Sequence, residues 1–172
     1  MTIQKPDDQT EHFKQGNAAF LIFALVMMFI LIIAVLLPLY PNDFFPYVRI
    51  GQQISQSGSI PTTEFMTFTQ SGEPAVYLYW LPSLIFMWIY DLGGVALVSL
   101  LTALCVGVFY SLLWLCLREL KVGALTSGVV LLLTGLVGVN YWATRPQLLT
   151  YPLFGLALWI LLRWQKREEH RL

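Results

Sequence analysis

The chain has 172 residues, 57% hydrophobic and 12% charged, with ten Lys and Arg against ten Asp and Glu and a mean hydropathy of +0.66. Such a balance lies outside the range of soluble globular domains and marks an integral membrane protein. It leaves no basic footprint for nucleic acid and no acidic tail, so the partners to expect are lipids and other membrane chains, with no nucleic acid.

In chain order, residues 1–17 form a polar tail holding Lys5, Asp7, Asp8, Glu11, His12 and Lys14. AAFLIFALVMMFILIIAVLLPLY at 18–40 follows, 23 residues without a charge, where ~20 suffice to cross a ~30 Å hydrocarbon core. The acids before it and its length argue against a cleaved signal peptide, so it reads as an uncleaved anchor. Residues 41–93 are a polar and aromatic interlude. Within it Asn42 or Asp43 is placed to cap a helix with Pro46 in its first turn, running to about Ser57 and stopping at Gly58. Phe44, Tyr47, Val48, Gly51 and Ile54 share one face of that helix and Arg49, Gln52, Gln53 and Gln56 fall mostly opposite, so it is expected to lie on the membrane surface. IPTTEFMTFT reads as extended and SGEP at 71–74 as a turn. The segment 76–90 is short and contains Pro82, the length of an interfacial element. Three further spans follow at 94–117, 122–142 and 148–164, and residues 165–172 form a closing tail.

Charge selects the topology, because cytoplasmic flanks collect Lys and Arg. If 76–90 does not cross, Lys5, Lys14, Arg118, Lys121, Arg163, Lys166, Arg167 and Arg171 lie inside, leaving only Arg49 and Arg145 outside. If it crosses, only Lys5, Lys14 and Arg145 remain inside and the bias inverts. The expectation is therefore an all-α integral membrane protein of the plasma (inner) membrane. It has four transmembrane helices, both termini cytoplasmic, and one large external loop, 41–93, containing interfacial helices.

No His or Cys cluster has the spacing of a zinc site, since His12 and His170 lie in the tails. Cys105 and Cys116 are eleven residues apart in one expected helix, ~16 Å at ~1.5 Å per residue, too far for a disulfide. No transition metal is expected. In the third span Ala124, Gly128, Gly135 and Gly138 fall with Leu131 on a small-residue seam where a neighbouring backbone can approach.

The loop carries a resemblance. Asp43, Arg49, Gly51, Ile54, Gly58, Ile60, Pro61, Phe65, Phe68, Gly72, Pro74, Trp80 and Leu81 stand in an order that resembles the first external loop of GT-C glycosyltransferases. NYWATRPQLLTY at 140–151 looks like the outer start of the fourth span in the same proteins. The similarity covers roughly residues 18–160. It implies a GT-C-like N-terminal membrane module that moves a sugar from a polyprenyl-phosphate donor to an acceptor at the outer face. For Asp43 it implies a general base on the acceptor hydroxyl, or a ligand for a divalent cation on the phosphate. Arg145, Arg49, Trp80 and Glu64 become candidates for binding substrate. Relatives commonly carry charged or imidazole groups where this chain has Tyr47 and Tyr79, and Asp where it has Glu64.

Each of these residues also has a purely structural reading. Asp43 serves as a helix cap worth ~1 kcal/mol. Glu64 and Glu73 sit in a wetted loop, where only a hard cation would recruit several oxygens. Arg145 at a membrane edge snorkels to headgroups, or holds a lipid-linked phosphate in a defined pocket. Trp80 and Trp88 suit an aromatic belt. Two functional classes follow: a glycosyltransferase, favoured by the motifs the loop retains, or a non-catalytic scaffold subunit of a larger membrane complex, favoured by a length of only four spans. The spans hold no buried ionisable residue to mark a transport path.

Overall fold

In the computed structural model the chain is all-helical; its backbone is described for residues 6–39 and 41–169 and its side chains for residues 16–39 and 44–167. The described elements are α1 (Pro6–Leu36), α2 (Pro41–Ser57), α3 (Trp80–Glu119), α4 (Ala124–Gly138) and α5 (Thr150–Glu169), with short 3-10 turns at Val139–Tyr141 and Pro146–Leu149. Among the described residues four stretches are long and apolar enough to cross a membrane: Gly16–Leu36, Trp80–Glu119, Ala124–Tyr141 and Pro146–Arg167.

Several boundaries differ from the sequence expectation. α1 stops at Leu36 rather than Tyr40, because Pro38 lacks an N–H and disfavours helical geometry at Leu37 before it. Its start reaches back to Pro6, so the polar residues ahead of the apolar run continue the same helix. α2 begins at Pro41, which places Asn42 and Asp43 inside the first turn instead of at the cap; Pro is well tolerated there, since the first helical N–H groups lack partners anyway. The side chains of Asn42 and Asp43 lie outside the described residues, as do those of His12 and His170.

The 40-residue α3 would be ~60 Å long if straight, about twice a hydrocarbon core. It is broken at Gly93 and Gly94, the latter at φ 59, ψ −151, a backbone geometry essentially open to glycine alone. The break separates a first limb, 80–92, from a second, 95–119. The sequence reading treats these as two separate elements, and the structure joins them through the glycine pair.

The first limb packs on α2. Phe44, Val48, Phe86, Met87 and Val98 form one buried cluster, with the Phe44 ring 5.8 Å from those of both Phe86 and Tyr90. Gly51 is buried where the two helices cross: a Cβ there would strike the Ser83 carbonyl oxygen and lie 2.7 Å from Met87 Cβ. The apolar face of α2 is therefore covered by protein. An apolar stripe specifies burial and not what does the burying, and here the first limb of α3 does it. α2 ends at Ser57, and Gly58 follows at φ +67 with its N–H on the Ile54 carbonyl.

The second limb is the bundle's centre, touching α1, α4 and α5. Its core joins Ile30, Ala34, Val106, Tyr110, Leu131, Trp142 and Leu148. α4 meets α1 through its glycines. A Cβ on Gly128 would sit 2.5 Å from Ile22 Cγ2, and one on Gly135 3.3 Å from Ile30 Cδ1. Gly138 faces the Tyr110 hydroxyl instead, and Ala124 packs against the core. At the far end of the second limb Glu119 accepts from Lys166 at 3.0 Å and lies 3.6 Å from Arg163, tying α3 to α5. Cys105 and Cys116 are free and buried.

Candidate functional site

At the end of the bundle opposite Glu119, the last turn of α1, the start of the second limb of α3 and the segment 139–145 converge on a partly open cavity of about 250 Å³. This is just under the ~300–1,000 Å³ of typical small-molecule sites. Ala34, Leu37, Pro38 and Leu39 supply one wall, Ser99 and Thr102 a second, and Val139, Asn140, Trp142, Ala143, Thr144 and Arg145 the third.

Local sequence explains how the third wall is held. Trp142 is buried, its ring edge-on to Tyr110 at 5.7 Å. Its N–H returns to the Val139 carbonyl, and Tyr151 donates to the Tyr141 carbonyl at 3.0 Å. Arg145 precedes Pro146 and is extended, φ −124, ψ 164, as the residue before a proline prefers. Its N–H donates to Ala143 O at 2.8 Å and its carbonyl accepts from Leu148 N at 2.9 Å. Pro146 and Leu148 are buried beneath it. Arg145 is thus a cationic side chain at a cavity wall on a backbone pinned from both sides.

The wall from α3 carries two hydroxyls, of Ser99 and Thr102. Thr102, 3% exposed, bonds back to the Val98 carbonyl and across to Thr144, Oγ1 to Oγ1 at 3.1 Å. Thr102, Thr144 and Asn140 were not among the candidates read from sequence. A hydroxyl about two turns into an apolar span, opposite a polar interhelical segment, is the signal that would have suggested Thr102.

Of the candidate residues, Arg145 lines this cavity. Asp43 follows the lining residue Leu39 by four positions and stands in the first turn of α2. Arg49 is exposed on α2 and Trp80 is 41% exposed at the start of α3; neither belongs to the cavity lining.

Glu64 is engaged elsewhere. Thr63 and Pro74 form an antiparallel bridge, flanked by Glu64 N–H to Glu73 O and Ala75 N–H to Thr62 O. The Glu64 carboxylate closes this hairpin from within, accepting from the backbone N–H of Met66 at 2.7 Å and Thr67 at 2.9 Å and from the Tyr77 hydroxyl at 3.3 Å. The two backbone donors, first Met66 and then Thr67, hold its carboxyl below the usual carboxylate range, while burial pushes the Tyr77 phenol up. A carboxylate spent on three donors of its own loop organises that loop.

A hard cation takes six or more oxygens, several of them charged. Among the described residues no three His, Cys, Asp or Glu side chains converge. The cavity's described donors are hydroxyls, an amide and a guanidinium, groups that can hold an anion. No protein-family model, curated protein or solved structure matches this chain.

Proposed function

We propose that the chain acts at the outer membrane face as a GT-C-like glycosyltransferase module, moving a sugar from a polyprenyl-phosphate donor to an acceptor hydroxyl. The observation that supports this reading is the cavity, which Arg145 lines together with Leu37, Pro38 and Leu39, residues that precede Asp43 closely in sequence. A guanidinium suits a phosphate oxygen, with planar donors and a charge that never titrates away. The carboxylate of Asp43 takes the acceptor proton as the acceptor oxygen attacks the sugar carbon. The bond from that carbon to the donor phosphate breaks, and Arg145 stabilises the charge that develops on the departing phosphate.

Orientation is part of the proposal. The charge bias puts the α3–α5 end, with Arg118, Lys121, Arg163, Lys166 and Arg167, in the cytoplasm and the cavity outside. The test supplies a lipid-linked sugar from the external side of sealed spheroplasts carrying wild type, Asp43→Asn or Arg145→Ala. Wild-type transfer is expected only with external donor. Asp43→Asn should lose about 10²- to 10⁴-fold in transfer, the worth of a positioned base, while still binding donor. Arg145→Ala should weaken donor binding as well. Undiminished transfer by Asp43→Asn excludes it as the base. If that variant is silent in both transfer and assembly with partner chains, the module is a scaffold, because Asn replaces Asp near a helix start at little cost.

A further inference from the structure

The cavity's hydroxyl pair has a proton count with a consequence. Thr102 Oγ1 stands 3.2 Å from the Val98 carbonyl oxygen and 3.1 Å from Thr144 Oγ1. A threonine hydroxyl has one proton and two lone pairs, and a carbonyl oxygen only accepts. If Thr102 gave its proton to Thr144, its 3.2 Å contact with the Val98 carbonyl would no longer be a hydrogen bond. Both contacts are hydrogen bonds only when Thr102 donates to Val98 and Thr144 donates to Thr102. The proton of Thr144 is then committed inward, and the cavity meets its lone pairs.

We infer that Thr144 is a specificity residue, an obligatory hydrogen-bond acceptor selecting a ligand that carries a hydroxyl beside its anionic group. Thr144 and Arg145 are consecutive and line the same wall, yet they recognise opposite features. A phosphate oxygen placed on Thr144 meets lone pair against lone pair and is directed to the neighbouring guanidinium. A ligand hydroxyl can accept from the guanidinium but cannot give it a proton, since Arg has no acceptor; that proton is taken by Thr144. The matching ligand class is a lipid phosphodiester whose second substituent is a polyol with free hydroxyls. Thr102, 3% exposed, cannot turn toward the cavity without abandoning Val98, so the polarity of the pair is built into the helix. This inference rests on the donor-site reading above and sharpens it.

Three probes of equal charge test it on the full chain in nanodiscs: dodecyl methyl phosphate, dodecyl glucosyl phosphate, and the latter with every sugar hydroxyl methylated. In the wild type the glucosyl probe should bind roughly five- to tenfold more tightly than the methyl probe, the worth of one hydrogen bond to a committed acceptor. Methylation should erase that advantage. Thr144→Ser should keep it, and Thr144→Val and Thr144→Ala should lose it while binding the methyl probe as the wild type does, which also shows that they fold. Retention of the advantage by the methylated probe means Thr144 donates, and the inference fails. Retention by both Val and Ala variants places the hydroxyl elsewhere and also overturns it, leaving the donor site intact. Failure of all three probes to bind overturns the donor-site reading and this inference together.

Discussion

Of the glycines at helix crossings in this protein, Gly51 and Gly128 meet very different neighbours. Gly51 brings α2 onto the first limb of α3, where a methyl group would strike the Ser83 carbonyl oxygen; Gly128 brings α4 onto α1, where it would meet the Ile22 Cγ2 methyl at 2.5 Å. The first contact is backbone against backbone and has nothing soft in it. The second is backbone against a side chain, and a helix that rotates or slides by a few tenths of an ångström can absorb it. A crossing of backbone on backbone predicts a stiffer pairing of α2 with the first limb than of α4 with α1. That is the arrangement a site needs when one wall, Leu37 to Leu39, leads into α2 and the others belong to the bundle.

Substitution at these glycines would break or sharpen that distinction. Gly51→Ala carries the larger expected effect. Alanine favours a helix by ~0.5–1 kcal/mol, but overpacking costs ~1–3 kcal/mol, and here the obstructing atom is a main-chain oxygen that moves only with its helix. Thermal unfolding in detergent should show a clear net loss, with earlier proteolysis in the hairpin 62–75 as α2 lifts. A melting temperature at or above the wild type's would mean that this pairing is soft and the comparison false.

Gly128→Ala should cost less, about 1 kcal/mol or under, because the helix propensity of alanine offsets part of the strain. It does not vanish, since Ile22 is β-branched and holds one χ1 rotamer in a helix. Pairing Gly128→Ala with Ile22→Ala in a double-mutant cycle isolates the contact. Additive losses from the two substitutions would show that the seam at Gly128 carries no contact with Ile22.

The four apolar helices were legible because a membrane core demands ~20 uncharged residues in a row and few other constraints produce such runs. Their ends were less so. Pro38 is plain in the sequence, yet an apolar window passes over it and extends the first span to Tyr40. The union of 80–92 with 95–119 depends on Gly93 and Gly94 adopting angles that glycine permits but does not require. The face of α2 was legible as buried and its partner was not, because Phe86 and Met87 lie more than 30 residues away along the chain. The same limit applies to the cavity. Arg145 stands out as a charge at a membrane edge, whereas Thr102 and Thr144 are 42 positions apart and gain meaning only when α3 and the 139–145 segment meet.

The hairpin extends the comparison to a third kind of contact, polar and wet, and carries the smallest expected effect. Glu64 holds the turn through Met66 N, Thr67 N and Tyr77 Oη, and because those donors favour the charged carboxylate its folded pKa lies below that of the unfolded chain. The contribution is therefore complete above the ordinary carboxylate value, declines as pH falls through the lower folded value, and is gone once both states are protonated. Solvent at this loop screens the effect and keeps it small. Amide hydrogen exchange at Met66 and Thr67 should stay slow from neutral pH to below 4.5, the unperturbed value, after correction for intrinsic rates, and then quicken. Glu64→Gln keeps one acceptor oxygen and loses the charge, so it should exchange faster at neutral pH and show no such transition on acidification. Glu64→Gln should not alter unfolding of the bundle, since this carboxylate's hydrogen bonds run to Met66, Thr67 and Tyr77. If acidification through this range instead releases α2 and the first limb together, the hairpin is mechanically part of their pairing, and the stiffness assigned to Gly51 is shared with Glu64.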